Sequence, residues 1–290
     1  MVLYEVIVKG LVYGCMYALM AVGLTMVYGL LRILHIAHAS IFTLGAYAGL
    51  LTANQTGSLA LGILAAIVAA GTAGVLIYRF AYEPVLREPP HVAMIISIGL
   101  LIMMEDGFRI VFGGYGVAFR HNPWYTGTVH LAGINFTQAE LAMVGAAVVL
   151  LGALGFAASR TRIGVGWRAT VTDPQMAASF GVDPMRVRYL SFFIGSALAA
   201  IAGLSVGVLI NYVEPGMGAA LSYKGLAIVV LGGLGNVRGT LWAGLALGVI
   251  EGVGGLYLSD VLDRNAIGFA VLIAALMVRP QGLFGRARTA

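Results

Sequence analysis

The sequence predicts an all-α, polytopic membrane bundle of about eight to ten transmembrane segments, some of them short or broken. Three observations carry this. The chain of 290 residues is 60% hydrophobic and only 10% charged, with a mean hydropathy of +0.94. No soluble core of this size needs so much apolar sequence. The apolar residues fall in runs of membrane length. The basic residues collect in a few of the gaps between those runs. A net charge of +5 on a soluble chain would point to nucleic acid. Here the clustering follows the positive-inside pattern, so membrane lipids are the expected neighbours and no nucleic acid is.

Nine apolar segments are read in order: 6–31, 36–53, 58–78, 92–112, 139–158, 189–210, 223–237, 240–258 and 265–278. The first lacks a basic leader region and runs too long for a cleaved signal, so it is expected to stay in the membrane. Arg160, Arg162, Arg168, Arg186 and Arg188 put the central loop in the cytoplasm, and Arg279, Arg286 and Arg288 put the C-terminal tail there. Two cytoplasmic ends need an even number of crossings between them, so 223–237 must cross as a short or broken helix. Counting back places the N-terminus outside, with nine crossings. Residues 1–290 read as one transmembrane domain: a first helical half (1–158), a cytoplasmic loop (159–188), and a second half with its tail (189–290). Tyr115, Trp124 and Tyr125 read as interfacial belt residues of an outer loop. Cys15 reads as a packing residue.

Small residues recur every fourth position at Gly195, Ala199, Gly203 and Gly207, and again at Gly244, Gly248 and Gly252. That spacing puts each set on one helix face, where backbones approach closely. It leaves open whether the contact is internal or between subunits.

The polar interruption carries a short helix of its own. Thr172 or Asp173 can cap it, and Pro174 suits its first turn. Gln175, Met176, Ala177, Ala178, Ser179 and Phe180 continue it, and Gly181 stops it. Asp183 and Pro184 repeat the start signal for the next segment. A capped helix outside the bilayer is either an ordinary structured loop or a docking element.

Two further constellations interrupt apolar runs. Arg32, His35 and His38 lie between the first two segments. Lys224 and the glycines Gly232, Gly233 and Gly235 lie in the shortened seventh. Interrupted segments in the two halves point to a transporter's substrate path, although the halves share no clear sequence identity. Intramembrane ionisable residues are few: Glu105, Asp106 and Arg109 in the fourth segment and Glu251 in the eighth. Such residues mark functional sites by default. Glu105 and Arg109, four apart, can equally form a satisfied pair. Glu251 reads first as a hydrogen-bonded packing residue. His38 reads equally as loop structure or pathway lining. The chain has no G-x-x-x-x-G-K-[ST] run, no H-E-x-x-H, no cysteine pair and no G-x-S-x-G, so neither ATP hydrolysis by a P-loop, a metal site nor an enzyme is expected here.

These strings together resemble the permease subunit of bacterial branched-chain (hydrophobic) amino-acid ABC importers. Gly10 to Leu19 and Gly23 to Gly29 look like that family's first helix. Ile36-Ala37-His38 matches the core of its asparagine-phenylalanine-alanine-histidine-glycine-glutamate motif. Tyr82, Pro84-Val85 and Ser97-Ile98-Gly99-Leu100 fit its first cytoplasmic loop and fourth helix. Val229 to Gly235 and Arg279 to Gly285 are similar to two of its most recognisable strings. His35 replaces an asparagine, Ala39-Ser40 a glycine-glutamate pair, and Glu83 a common arginine.

The resemblance implies a multi-pass inner-membrane permease that works by ATP-driven alternating access. Its partners would be a second related permease, two ATPase subunits that hydrolyse the ATP, and a periplasmic solute-binding protein. It implies that residues 173–181 form the ATPase-coupling helix, and that Thr25, His38, Ser97 and Gly232, Gly233 and Gly235 line the pathway. The competing class is an ion-coupled secondary transporter or channel, with Glu105, Asp106, Arg109 and Glu251 as its relay. A membrane scaffold without transport is the third.

Overall fold

The computed structural model describes residues 2–120, 127–131, 133–258 and 264–278. Trp124, Tyr125, Arg279, Arg286, Arg288 and the Arg279 to Gly285 string lie outside them. The apolar segments form nine helices among the described residues: α1 (Val2–Leu31), α2 (His38–Thr56), α3 (Leu59–Ile77), α4 (Pro90–Phe112), α5 (Gln138–Arg160), α8 (Pro184–Ile210), α9 (Met217–Gly232), α10 (Val237–Leu258) and α11 (Arg264–Val278). Five spans among them are long and apolar enough to cross a membrane outright. Two helices, α6 (Arg162–Thr172) and α7 (Pro174–Ser179), lie between α5 and α8.

Backbone-to-backbone seams hold the core. Side chains at Gly10 and Gly14 would strike α10, and one at Gly248 would strike Gly10 and Gly14 of α1. Partners descend along one helix as they ascend along the other, so α1 and α10 are antiparallel. A Cβ on Gly195 would meet the Gly23 carbonyl, and one on Gly203 would run into the Phe42 carbonyl of α2. Both small-residue stripes therefore serve contacts within the chain. Without a water-driven hydrophobic effect between helices, such close packing is what holds a membrane bundle. Gly248→Leu is accordingly expected to cost more than the ~1–3 kcal/mol of ordinary overpacking, because backbone cannot step aside. Gly152→Leu on α5, with open space around it, is the matched control. Monodisperse yield from detergent extracts reads the difference; equal yields would contradict the seam.

The first connection dips into the bundle. α1 ends where Arg32 takes a left-handed conformation (φ 54), uncommon for a residue other than glycine. The chain then turns back inward, so that α2 begins with His38 beside Gly23, eight residues before the end of α1. α3 passes into a π-helical turn (Tyr78–Tyr82) and a 3-10 turn (Glu83–Val85). At the outer end, β1 (Val117–Ala118) pairs antiparallel with β4 (Tyr212–Val213), and β2 (Thr128–Leu131) with β3 (Ile134–Thr137). Thr137 and Glu140 form a capping box on α5, and Lys9 ties α1 to Glu140 at 2.9 Å.

Two sequence expectations need correction. The seventh segment is helical from Met217 to Gly232 rather than over 223–237. Its 16 residues span about 24 Å, short against a ~30 Å hydrocarbon core. Gly233 and Gly235 lie past its end with φ of 89 and 83, making the turn into α10. The stretch read as loop after Thr161 is α6. Thr161 caps it by accepting from Gly164 N at 3.2 Å. Gly164 allows its tight corner against Ala157 and Ala158 of α5.

Candidate functional site

The inward dip builds a small, mostly apolar pocket in the bundle, with two histidines in its wall. Ser97 Oγ accepts from Ala37 N at 3.0 Å, which pins the turn ahead of α2 to α4. Ser40 Oγ donates to the Leu101 carbonyl at 3.2 Å, and Thr43 Oγ1 accepts from Gly218 N at 3.0 Å. Ser40 thus joins α2 to α4, and Ala39 packs where α2 meets Gly218 of α9. The His35 and His38 rings sit 5.6 Å apart, edge to face. His35 Nδ1 shares a 2.7 Å hydrogen bond with Tyr82 Oη from the π-helical turn, and its Nε2 is buried without a protein partner. Both histidines line a cavity of about 70 Å³ with Met20, Leu24, Ser222 and Tyr223. Tyr223 is 60% exposed, so the rim of this pocket lies on a face that the chain leaves open.

The pathway residues read from sequence do not converge on this pocket. His38 lines it. Ser97 supports its turn but lines neither cavity described here. Thr25 is wholly buried, donating to the Ala21 carbonyl at 2.8 Å and sharing a 2.8 Å bond with Thr240 Oγ1 of α10. It stitches two helices. Gly232 packs on the backbone of Gly239 and Thr240, Gly233 turns the chain, and Gly235 borders a separate cavity between α5, α6 and α8.

The intramembrane charges are partnered. Arg109 bridges Glu105 at 2.6 Å and Asp106 at 3.0 Å on one exposed face near the outer end of α4. Glu251 is 3% exposed. It accepts from Tyr17 Oη at 2.7 Å and from Lys224 Nζ at 2.9 Å, and Lys224 also donates to Tyr17 Oη at 2.9 Å. This triad clamps α9 to α1 and α10. Lys224 as the partner of Glu251 was not foreseen; two residues 27 apart in sequence meet only once helix register is known.

Between α6 and α8, Asp173 caps α7 by accepting from Gln175 N and Met176 N, both at 2.9 Å. Gly181 follows with φ 83. Asp183 caps α8 in the same way, accepting from Met185 N at 2.9 Å. Ala177 is buried and anchors the helix. Met176 (56% exposed) and Phe180 (82%) project outward beside exposed Gln175, Ala178 and Ser179. From α7 the chain enters the first turns of α8, where Tyr189 Oη donates to Glu83 Oε2 at 2.6 Å. Glu83 also pairs with Arg79 at 2.6 Å. Tyr78, Phe192 and Tyr82 continue this contact ring by ring to His35.

A multi-pass helical bundle with a small internal pocket and a capped short helix that presents exposed side chains fits an ABC-type permease subunit. The family described as branched-chain amino acid transport system, permease component, matches residues 6–278, and the chain belongs to it. The high-affinity branched-chain amino acid transport permease LivH of Escherichia coli K12 is 32% identical over 96% of this chain and 94% of its own. BraD, the corresponding permease of Pseudomonas aeruginosa, is 30% identical over 97% and 95%. LivM of Escherichia coli K12 is 25% identical over 94% and 68%. A solved metal-chelate-type ABC transporter in an inward-facing conformation shares the fold, with a TM-score of 0.52 at 16% identity over 93% of this chain and 86% of that one. This chain is an ABC importer permease subunit.

Proposed function

We propose that the chain carries branched-chain or related hydrophobic amino acids inward across the bacterial inner membrane. In this reading it pairs with a second, related permease. A periplasmic binding protein delivers the solute, and two ATPase subunits at the cytoplasmic face hydrolyse the ATP. The observation that carries the reading is α7. It is capped at Asp173, anchored by Ala177, and presents Met176 and Phe180 to a partner. Exposed apolar side chains on a basic cytoplasmic face suit a protein groove better than water. ATPase closure would push α7 and the first turn of α8. The Tyr189–Glu83 and Tyr82–His35 bonds would carry that push to the pocket. The partner permease would close the pocket over Tyr223.

The test is ATPase activity of the co-expressed complex in liposomes, with binding protein, screened over leucine, isoleucine, valine, aromatic acids, amides and urea. Stimulation by branched-chain amino acids is expected. Stimulation by amides or urea alone would overturn the substrate class. His35, Ala39 and Ser40, which depart from the family's usual residues, make this screen the direct check.

A further inference from the structure

A second cavity, larger than the membrane pocket, lies apart from it. It holds about 530 Å³ at the cytoplasmic end, between α5, α6, α8 and the start of α10. Its lining is mostly apolar and includes Leu154, Ile163 and Ile194. Arg168 and Arg238 stand at it, both exposed, and neither forms an ion pair among the described residues. Trp167 also lines it, and its indole Nε1 is buried with no hydrogen-bond partner. A buried N–H donor without an acceptor is uncommon and costs free energy until one is supplied.

The surroundings say what kind of molecule reaches this cavity. α5 turns Val148, Val149 and Phe156 outward, each about two-thirds exposed, so it borders lipid. α6 exposes Ile163 and Val165 on the same short helix as Arg162 and Arg168. Apolar residues beside arginines on a helix at the cytoplasmic boundary suit the membrane interface. The cytoplasmic leaflet carries anionic headgroups, and guanidinium groups match phosphate oxygens in shape and charge. A soluble anion would have no use for the apolar wall, and an uncharged acyl chain none for the arginines.

We propose that an anionic phospholipid of the cytoplasmic leaflet binds in this cavity. Arg168 and Arg238 hold its phosphate, the Trp167 indole donates to a headgroup or ester oxygen, and an acyl chain lies along Leu154, Ile163 and Ile194. The lipid then fills the space between α5, α6 and α8. The inference rests on the cytoplasmic placement of α6 and is independent of which solute is transported.

The test uses the full chain in nanodiscs with Trp124→Phe and Trp242→Phe, which leaves Trp167 as the sole tryptophan of the three. Its fluorescence is titrated with acyl-brominated phosphatidylglycerol or acyl-brominated phosphatidylcholine in an unbrominated phosphatidylcholine host. Phosphatidylglycerol is expected to quench at a lower mole fraction, by about fivefold for each arginine engaged. Arg168→Gln/Arg238→Gln should abolish that preference while the chain stays monodisperse. Added glycerol phosphate should leave the quenching unchanged. Equal quenching by both lipids, a preference that survives loss of both arginines, or reversal by glycerol phosphate would each overturn the proposal, the last by marking a soluble-anion site.

Discussion

Lys224→Met is expected to destabilise the folded chain by about 3–5 kcal/mol, the cost of leaving one member of a buried ion pair alone. Glu251 has its Oε2 satisfied by Lys224 and Tyr17, while Oε1 is buried with no hydrogen-bond partner. Without Lys224 Nζ at 2.9 Å, the carboxylate keeps one donor, Tyr17, in a medium that solvates it poorly. The lysine also lies 5.0 Å from the Tyr17 ring centroid, so its loss removes a cation–π contact too. The double variant Lys224→Met/Glu251→Met is expected to regain most of the loss, since replacing both charges by packed apolar groups is often near neutral. Thermal midpoints in detergent decide between the outcomes. A single variant as stable as the wild type, or a double variant worse than the single, would sink the claim that the pair acts as a unit.

The second large effect is functional. Ala178→Glu is expected to lower binding-protein-stimulated ATPase activity and uptake together by about tenfold or more, the factor that ~1.4 kcal/mol represents at an interface. Ala178 is exposed on the outer side of α7, so a carboxylate there meets water in the free chain and a partner surface in the complex. Ala177→Glu is the informative contrast. Ala177 is 3% exposed, and a charge there should disrupt the α7–α8 elbow and lower the yield of folded protein. Normal coupling in Ala178→Glu, with normal membrane insertion, would remove α7 from the ATPase interface.

What could be read from the sequence was local. The α7 and α8 caps at Asp173 and Asp183 depend on a side chain reaching an amide two or three residues on, and the residue order shows this directly. The glycine stripes were legible because a period of four is a property of one helix, whichever helix it meets. Features that need two helices in register were not. Thr25, expected to line the pathway, also has a helix-to-helix bond that residue order does not show. A threonine can satisfy itself on the carbonyl four residues back, and Thr25 does so at Ala21. The Lys224–Glu251–Tyr17 triad and the Tyr82–His35 bond were hidden for the same reason. α6 lay inside the stretch read as a loop from its arginines; Gly164 permits its close corner with α5.

The most direct measurement is initial uptake of radiolabelled leucine into liposomes holding the assembled complex and supplied with binding protein. One set carries trapped ATP and the other ADP, with ion gradients collapsed by ionophores in half of each. Uptake that needs ATP and is indifferent to the gradients is the result this account predicts. Uptake that proceeds with ADP and follows an ion gradient would contradict it, and would make the buried charges of α9 and α10 the first place to look for the coupling ion.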